Sequence, residues 1–336
     1  MTLLRRELNL LGFHRPPRKS VIGMMALVAA IGTFHGVARA QQEQSAPATT
    51  QPEKPKQRAA KEPETPKEPE DVSLKTLDGV VLRATYYPGM DGKKSTTLIL
   101  VHAYKGKRSD YAELAKYLQI NRFAVMVPDL RGHGESTRLL SGGNIDAASL
   151  QKADFAAMVT YDMEAVKSFL LKQHNEGQLN IDKLGVVGAE MGATVGLAWA
   201  ALDWSWPLTT RGKQGQDVKA LVLLSPEWTF KGLRINDALA NEYVRRDLAI
   251  LILVGKGSSG AVQQANRIHT AFKAAHPEPP PGTGGKKDLF LLRLPTSLQG
   301  TKLLGENLKV EDMITKFIQA RLASLPLDWE ERKKLD

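Results

Sequence analysis

Residues 184–193 read LGVVGAEMGA. An apolar run ends in Gly188-Ala189-Glu190-Met191-Gly192, and a small-residue helix start follows. This is the pattern of a strand, a sharp turn and a helix, whose usual signature is G-x-S-x-G with a nucleophilic serine at the turn. Here Glu190 holds the serine position. Small neighbours at 188, 192 and 193 keep the turn sterically open. The stretch therefore specifies an architecture and argues against the chemistry that usually accompanies it.

The segments around it share one rhythm. Residues 72–76 and 80–87 alternate apolar and polar around Asp78-Gly79, an opening β-hairpin. Continuous apolar runs at 97–102 (TLILVH), 123–127, 184–187, 218–224 (VKALVLL), 248–254 (LAILILV) and 288–294 read as strands buried on both faces. Helical spacing lies between them, at 111–120, 148–173, 191–202, 238–246 and 261–275, and again at 310–322. Strands alternating with helices after one antiparallel hairpin predict an α/β domain. Its mostly parallel sheet would be flanked by helices on both faces.

Two further motifs sit at strand ends. The segment 128–136 reads PDLRGHGES, and Val101-His102-Ala103-Tyr104 ends the first buried strand. With the turn at Glu190, these resemble the α/β-hydrolase superfamily over roughly residues 72–323, closest to its dienelactone hydrolase and serine-aminopeptidase-like branches. The resemblance implies a pocket at the strand ends. Backbone N–H groups of Met191 and of Ala103 or Tyr104 would serve there as oxyanion donors. It also makes Asp129, Arg131 and His133 the family loop.

The same resemblance places the three catalytic positions, and each is altered. Serine is replaced by Glu190. The acid after the strand ending at Val254 is replaced by Ser258. The histidine after the last strand is replaced by Gln299, and no histidine follows His276. Glutamine cannot accept and return a proton near neutral pH, so the base role is vacant. Glu227, after the preceding strand, is an alternative acid with no histidine to orient. Glu190 could act as a nucleophile, a general base or a cation-binding group, or could simply bond locally in a pocket. As a nucleophile it is one methylene longer than the aspartate some relatives use, which shifts its oxygens from attack geometry.

Composition narrows the partners. The net charge of +10 falls to +5 when residues 1–40 are set aside, because they carry six Lys/Arg and one Glu. The remaining bases are interspersed with acids, with no basic stripe to suggest nucleic-acid binding. There is no cysteine, so disulfides and thiol chemistry are excluded. The seven histidines show no paired metal-ligand spacing, and neither a metal nor a cofactor is expected. Trp199, Trp204, Trp206 and Trp228 suit either core packing or a binding patch.

Residues 1–40 resemble a secretory signal. A basic start precedes the apolar residues 21–38, and Ala38-Arg39-Ala40 is an A-x-A cleavage pattern. Residues 41–71 are rich in Pro, Lys and Glu and read as a disordered linker. A domain at 72–324 and a charged tail at 325–336 complete the expected organisation. The chain reads as an exported, periplasmic or extracellular protein, membrane-tethered only if the signal segment is uncleaved. It would be a pseudoenzyme that binds a small ligand or a protein partner. The alternative is a hydrolase of carboxylic esters or related bonds, built around Glu190.

Overall fold

A computed structural model of the chain describes residues 65–210, 212–280, 285–305 and 307–332. The expected signal segment and residues 41–64 of the linker lie outside them. Among the described residues no helix is long and apolar enough to cross a membrane.

The hairpin forms from β1 (Glu70–Lys75) and β2 (Val80–Tyr87), paired antiparallel from Glu70–Tyr86 to Lys75–Val81. β1 starts at Glu70, so the linker ends earlier than residue 71. Next come β3 (Thr96–Val101), helix α1 (Ala112–Ile120), β4 (Ala124–Pro128) and the two-residue β5 (Arg138–Leu139). The long helical pattern of 148–173 is α2 (Lys152–Ala157) and α3 (Met163–Asn175), joined without a break by a π-helical turn at Met158–Asp162. β6 (Asn180–Ala189) and α4 (Met191–Ser205) flank Glu190.

β7 (Val218–Leu224) is followed by a short ribbon of β8 (Thr229–Phe230) and β9 (Leu233–Arg234). The helix expected at 238–246 is two helices, α5 (Ile235–Leu239) and α6 (Glu242–Asp247). Asn241 divides them because its side chain accepts from the N–H groups of Tyr243 and Val244, an N-cap that restarts the helix. β10 (Ala249–Gly255), α7 (Ser259–Lys273), β11 (Leu289–Leu294) and α8 (Val310–Ile318) complete the order.

The sheet runs β1-β2-β4-β3-β6-β7-β10-β11, with β5 also pairing β2. Pairing is parallel from β4 through β11 and antiparallel at the hairpin edge. The period-two pleat divides each buried strand between two cores. Ile99, Leu221, Leu223, Ile250 and Ile252 join the core under α3, α4 and α7. Leu98, Val222, Leu224, Leu251 and Leu253 join the core under α1 and α8. Runs apolar at every position are therefore what this sheet requires.

Residues 325–332 do not stand off as a tail. Trp329 Nε1 donates to His174 O, and Asn180 Nδ2 donates to Leu327 O. Arg332, 8% exposed, reaches the carboxylates of Asp182 and Asp217. The expected domain end at 324 is thus too early, because this segment carries the cation that a buried acidic cluster needs.

Candidate active site

Glu190 stands on the turn between β6 and α4 with φ 49° and ψ −112°, a conformation that non-glycine residues rarely adopt. The flanking glycines permit it. A Cβ on Gly188 would lie 2.4 Å from Gly192 O, and one on Gly192 would lie 2.2 Å from Val101 O. The first turn of α4 is therefore pressed against the end of β3. This brings Met191 beside the loop carrying Ala103 and Tyr104. The N–H groups of these three residues have no hydrogen-bond partner among the described residues.

The Glu190 side chain is half-buried beneath the loop 297–302 and packs on Gly300, whose Cβ would lie 2.8 Å from Oε1. Among the described residues its carboxylate makes no hydrogen bond and no ion pair. Burial pushes its pKa up, and the Lys302 ammonium partly opposes that. Glu227 is also raised, by burial first and by the charge of Glu190 second. The two carboxyl groups therefore share one low-dielectric region. A cleft of about 480 Å³ opens over Glu190, walled by loop 103–106, Asp110 and loop 297–302.

Gln299 reaches the end of the sheet and is fully engaged there. Its Oε1 accepts from Ser225 Oγ at 2.6 Å and from Gly255 N at 3.3 Å. Its Nε2 donates to Gly255 O at 2.9 Å and Ser297 O at 3.2 Å. Ser258 is not its partner. That side chain caps α7, accepting from Ala261 N at 3.4 Å. The residue that meets Gln299 is Ser225, just beyond β7, which also accepts from Gly300 N at 3.0 Å. Sequence reasoning passed over Ser225 because its role depends on a positive φ of 48°, which its sequence context does not announce.

No histidine ring nitrogen lies within 4.0 Å of Glu190 or Glu227 among the described residues. His102 is spent on backbone. Its Nε2 accepts from Leu130 N at 3.0 Å, so Nδ1 carries the proton that Ala103 O accepts at 2.8 Å. Burial depresses its pKa. His133 donates from Nδ1 to Arg131 O, and burial holds its pKa down to about 4. His269 lies on α7, and His276 pairs with Asp288 at 2.8 Å.

The family loop is structural in its contacts. Arg131 is forked between Asp78 of the hairpin turn and Asp162 of the π-turn. Asp129 binds Arg108 and accepts from Glu135 N at 3.0 Å. A Cβ on Gly134 would lie 2.3 Å from the Asp129 carboxylate, so the loop closes only over glycine.

The tryptophans do not form one patch. Trp199 is buried and donates to Glu164 at 2.7 Å, while Trp204 stacks on Tyr243 at 5.3 Å. Arg267 covers Trp228, and Trp206 is 40% exposed.

This sheet order, the turn at Glu190 and the unpaired N–H groups facing it define a class: the chain has the α/β-hydrolase fold. A family model described as the alpha/beta hydrolase fold matches residues 96–248. The chain is similar in structure to the esterase Pf2001 of Pyrococcus furiosus, with TM-score 0.53 and 14% identity, covering 76% of this chain and 91% of that one. It is also similar to DcsB, solved with a substrate analogue, with TM-score 0.54 and 16% identity over 76% of this chain and 100% of that one. A dienelactone hydrolase from Anabaena variabilis superposes with TM-score 0.46 and 15% identity, covering 76% of this chain and 99% of that one. No curated protein sequence matches the chain.

Proposed function

We propose that this protein is an exported pseudoenzyme that binds a small ligand in the cleft over Glu190. One observation carries the reading. The amide at the base position is locked by four hydrogen bonds onto Ser225, Gly255 and Ser297, and among the described residues no histidine reaches the carboxylate at the nucleophile position. A Ser-His-Asp relay needs a group that takes a proton and gives it back, and nothing in the cleft does so through that route.

The charges also select the ligand. Glu190 at the helix N-terminus neutralises the attraction that this end offers an anion. Lys105 and Lys302 on the walls are matched in number by Asp110 and Glu190, so the cleft favours neither sign of charge. An uncharged polar molecule suits the remaining chemistry, with a carbonyl accepting from Met191, Ala103 or Tyr104.

The shared low-dielectric region of Glu190 and Glu227 favours a second reading, in which one carboxyl group acts as general acid–base on an ester or related bond. Hydrolysis of a short and a long p-nitrophenyl ester separates the two, with Glu190→Ala measured beside the parent chain. Rates at the buffer level in both are the expected result. Turnover that disappears in Glu190→Ala overturns the binding reading and makes Glu190 catalytic.

A further inference from the structure

The opposite end of the sheet holds a second cleft, of about 390 Å³, within the roughly 300–1,000 Å³ usual for small-molecule sites. It lies where β7, β10 and β11 begin. Lys219 on β7 and Arg321 after α8 both line it. Its apolar walls come from Trp204, Leu325, Pro326 and Leu327.

Lys286 also lines it, and among the described residues neither Lys219 nor Arg321 has an acidic partner in contact. Lys219 Nζ donates to Gln216 O at 2.7 Å and lies 4.2 Å from the Trp204 ring centre. Arg321 donates from Nε to Lys287 O and from one terminal nitrogen to Ala320 O at 3.2 Å. Its other terminal nitrogen makes no hydrogen bond among the described residues. No carboxylate lies within 4.0 Å of either charge there. The two acids at the cleft are engaged elsewhere, Asp288 with His276 at 2.8 Å and Asp247 with Arg246 at 2.9 Å.

Two half-buried cations that hydrogen-bond only to carbonyls and lie over the Trp204 and Phe290 rings, beside an apolar wall, form an incomplete ion-pair site. We infer that this cleft binds a monoanionic amphiphile, a carboxylate on an apolar body, with the carboxylate between Lys219 and Arg321. The apolar body lies along Leu325, Pro326 and Leu327. Asp247 and Asp288 disfavour a dianion such as a phosphate monoester. Burial, and secondarily Lys213, lowers the Lys219 pKa to about 8; burial lowers that of Arg321 as well. Burial outweighs the acids nearby, Asp217, Asp203 and Asp182 for Lys219 and Asp288 for Arg321.

Calorimetric titration of the full chain with octanoate, octanamide and octyl phosphate tests this. Octanoate is expected to bind saturably, with octanamide at least about tenfold weaker because its contacts are not charge-assisted, and octyl phosphate at least about tenfold weaker because Asp247 and Asp288 repel its second charge. Lys219→Met and Arg321→Met are each expected to weaken octanoate at least about tenfold while leaving octanamide unchanged. Pro326→Glu, on the exposed wall, keeps the test decisive if either cation variant fails to fold; its added carboxylate is expected to weaken octanoate. Equal affinity for octanoate and octanamide overturns the inference, as does octanoate binding that Pro326→Glu leaves unchanged. Octanoate binding abolished by Glu190→Ala and untouched by Lys219→Met places the ligand in the first cleft and also overturns it.

Discussion

Glu190 costs the fold stability through its charge. Its folded pKa is raised by burial, so the ionised form is disfavoured in the folded chain relative to the unfolded one. Above the raised folded value both states are ionised, and the folded state carries the whole penalty. Below the unfolded value of about 4.3 both are protonated and the penalty vanishes. Glu190→Gln is therefore expected to raise the midpoint of thermal unfolding at pH 7, with the gain shrinking to nothing as pH falls toward 4. A gain that does not depend on pH would assign the effect to packing against Gly300. The sharp turn at Glu190 was legible from the glycine spacing around it, whereas Gln299 was singled out only through the family resemblance. The pairing of Gln299 with Ser225 was not legible, because it depends on where the loops after β7 and β11 meet. Nor was the use of Ser258 legible: a serine at a helix start caps it locally, and here the side chain accepts from Ala261 N.

At the scale of elements, the junction of β6 and α4 is tight and the start of α7 is loose. A Cβ at Gly192 would meet Val101 O at 2.2 Å, whereas one at Gly260 meets nothing within 4 Å. Both positions lie in the first turn of a helix. Replacing glycine by alanine in a helix gains up to about 1 kcal/mol. Overpacking costs about 1–3 kcal/mol, and rigid backbone does not yield as a side chain would. Gly260→Ala is expected to stabilise the chain in urea by a few tenths of a kcal/mol to about 1 kcal/mol. Gly192→Ala is expected to destabilise it by at least about 1–3 kcal/mol. A neutral Gly192→Ala would mean that α4 can slide away from β3. Apolar runs and 3.6-residue spacing revealed these elements in advance. They could not reveal the restart at Asn241 or the π-turn at Met158–Asp162. Both keep the helical spacing of apolar residues, and side-chain hydrogen bonds mark them instead, the second through Asp162 and Arg131.

The whole molecule is closed by one ionic cluster. Lys167, buried on α3, pairs with Asp203 at 2.5 Å and Asp217 at 3.2 Å. Lys213 pairs with Asp182 and Asp217 at 2.6 and 2.7 Å, and Arg332 reaches the same two acids. Asp217 has its pKa lowered: burial acts to raise it, but Lys167, Lys213 and Arg332 together outweigh that. Its contribution to stability is therefore present above the unfolded value of about 3.9 and is lost as pH falls through the depressed folded value. Removing one member of a buried pair costs about 3–5 kcal/mol when the remaining charge is stranded. Asp217 retains two lysines, so Arg332→Met is expected to cost less, about 1–3 kcal/mol by urea denaturation. No change would show that residues 325–332 rest on the domain without supporting it.

The docking of residues 325–332 also sets an order of events in time. Its hydrogen bonds to His174, Asn175 and Asn180 join residues 147 to 157 positions apart in sequence, and those of Arg332 to Asp217 and Lys213 join residues 115 and 119 apart. Synthesis proceeds at about 5–20 residues per second, so about ten seconds or more separates the making of His174 from that of Trp329. During that interval Asp182 and Asp217 lack the guanidinium that completes their charge balance. The domain is thus held short of its final state until residues 325–332 arrive, and a chain broken off before Trp329 carries an unfinished cluster.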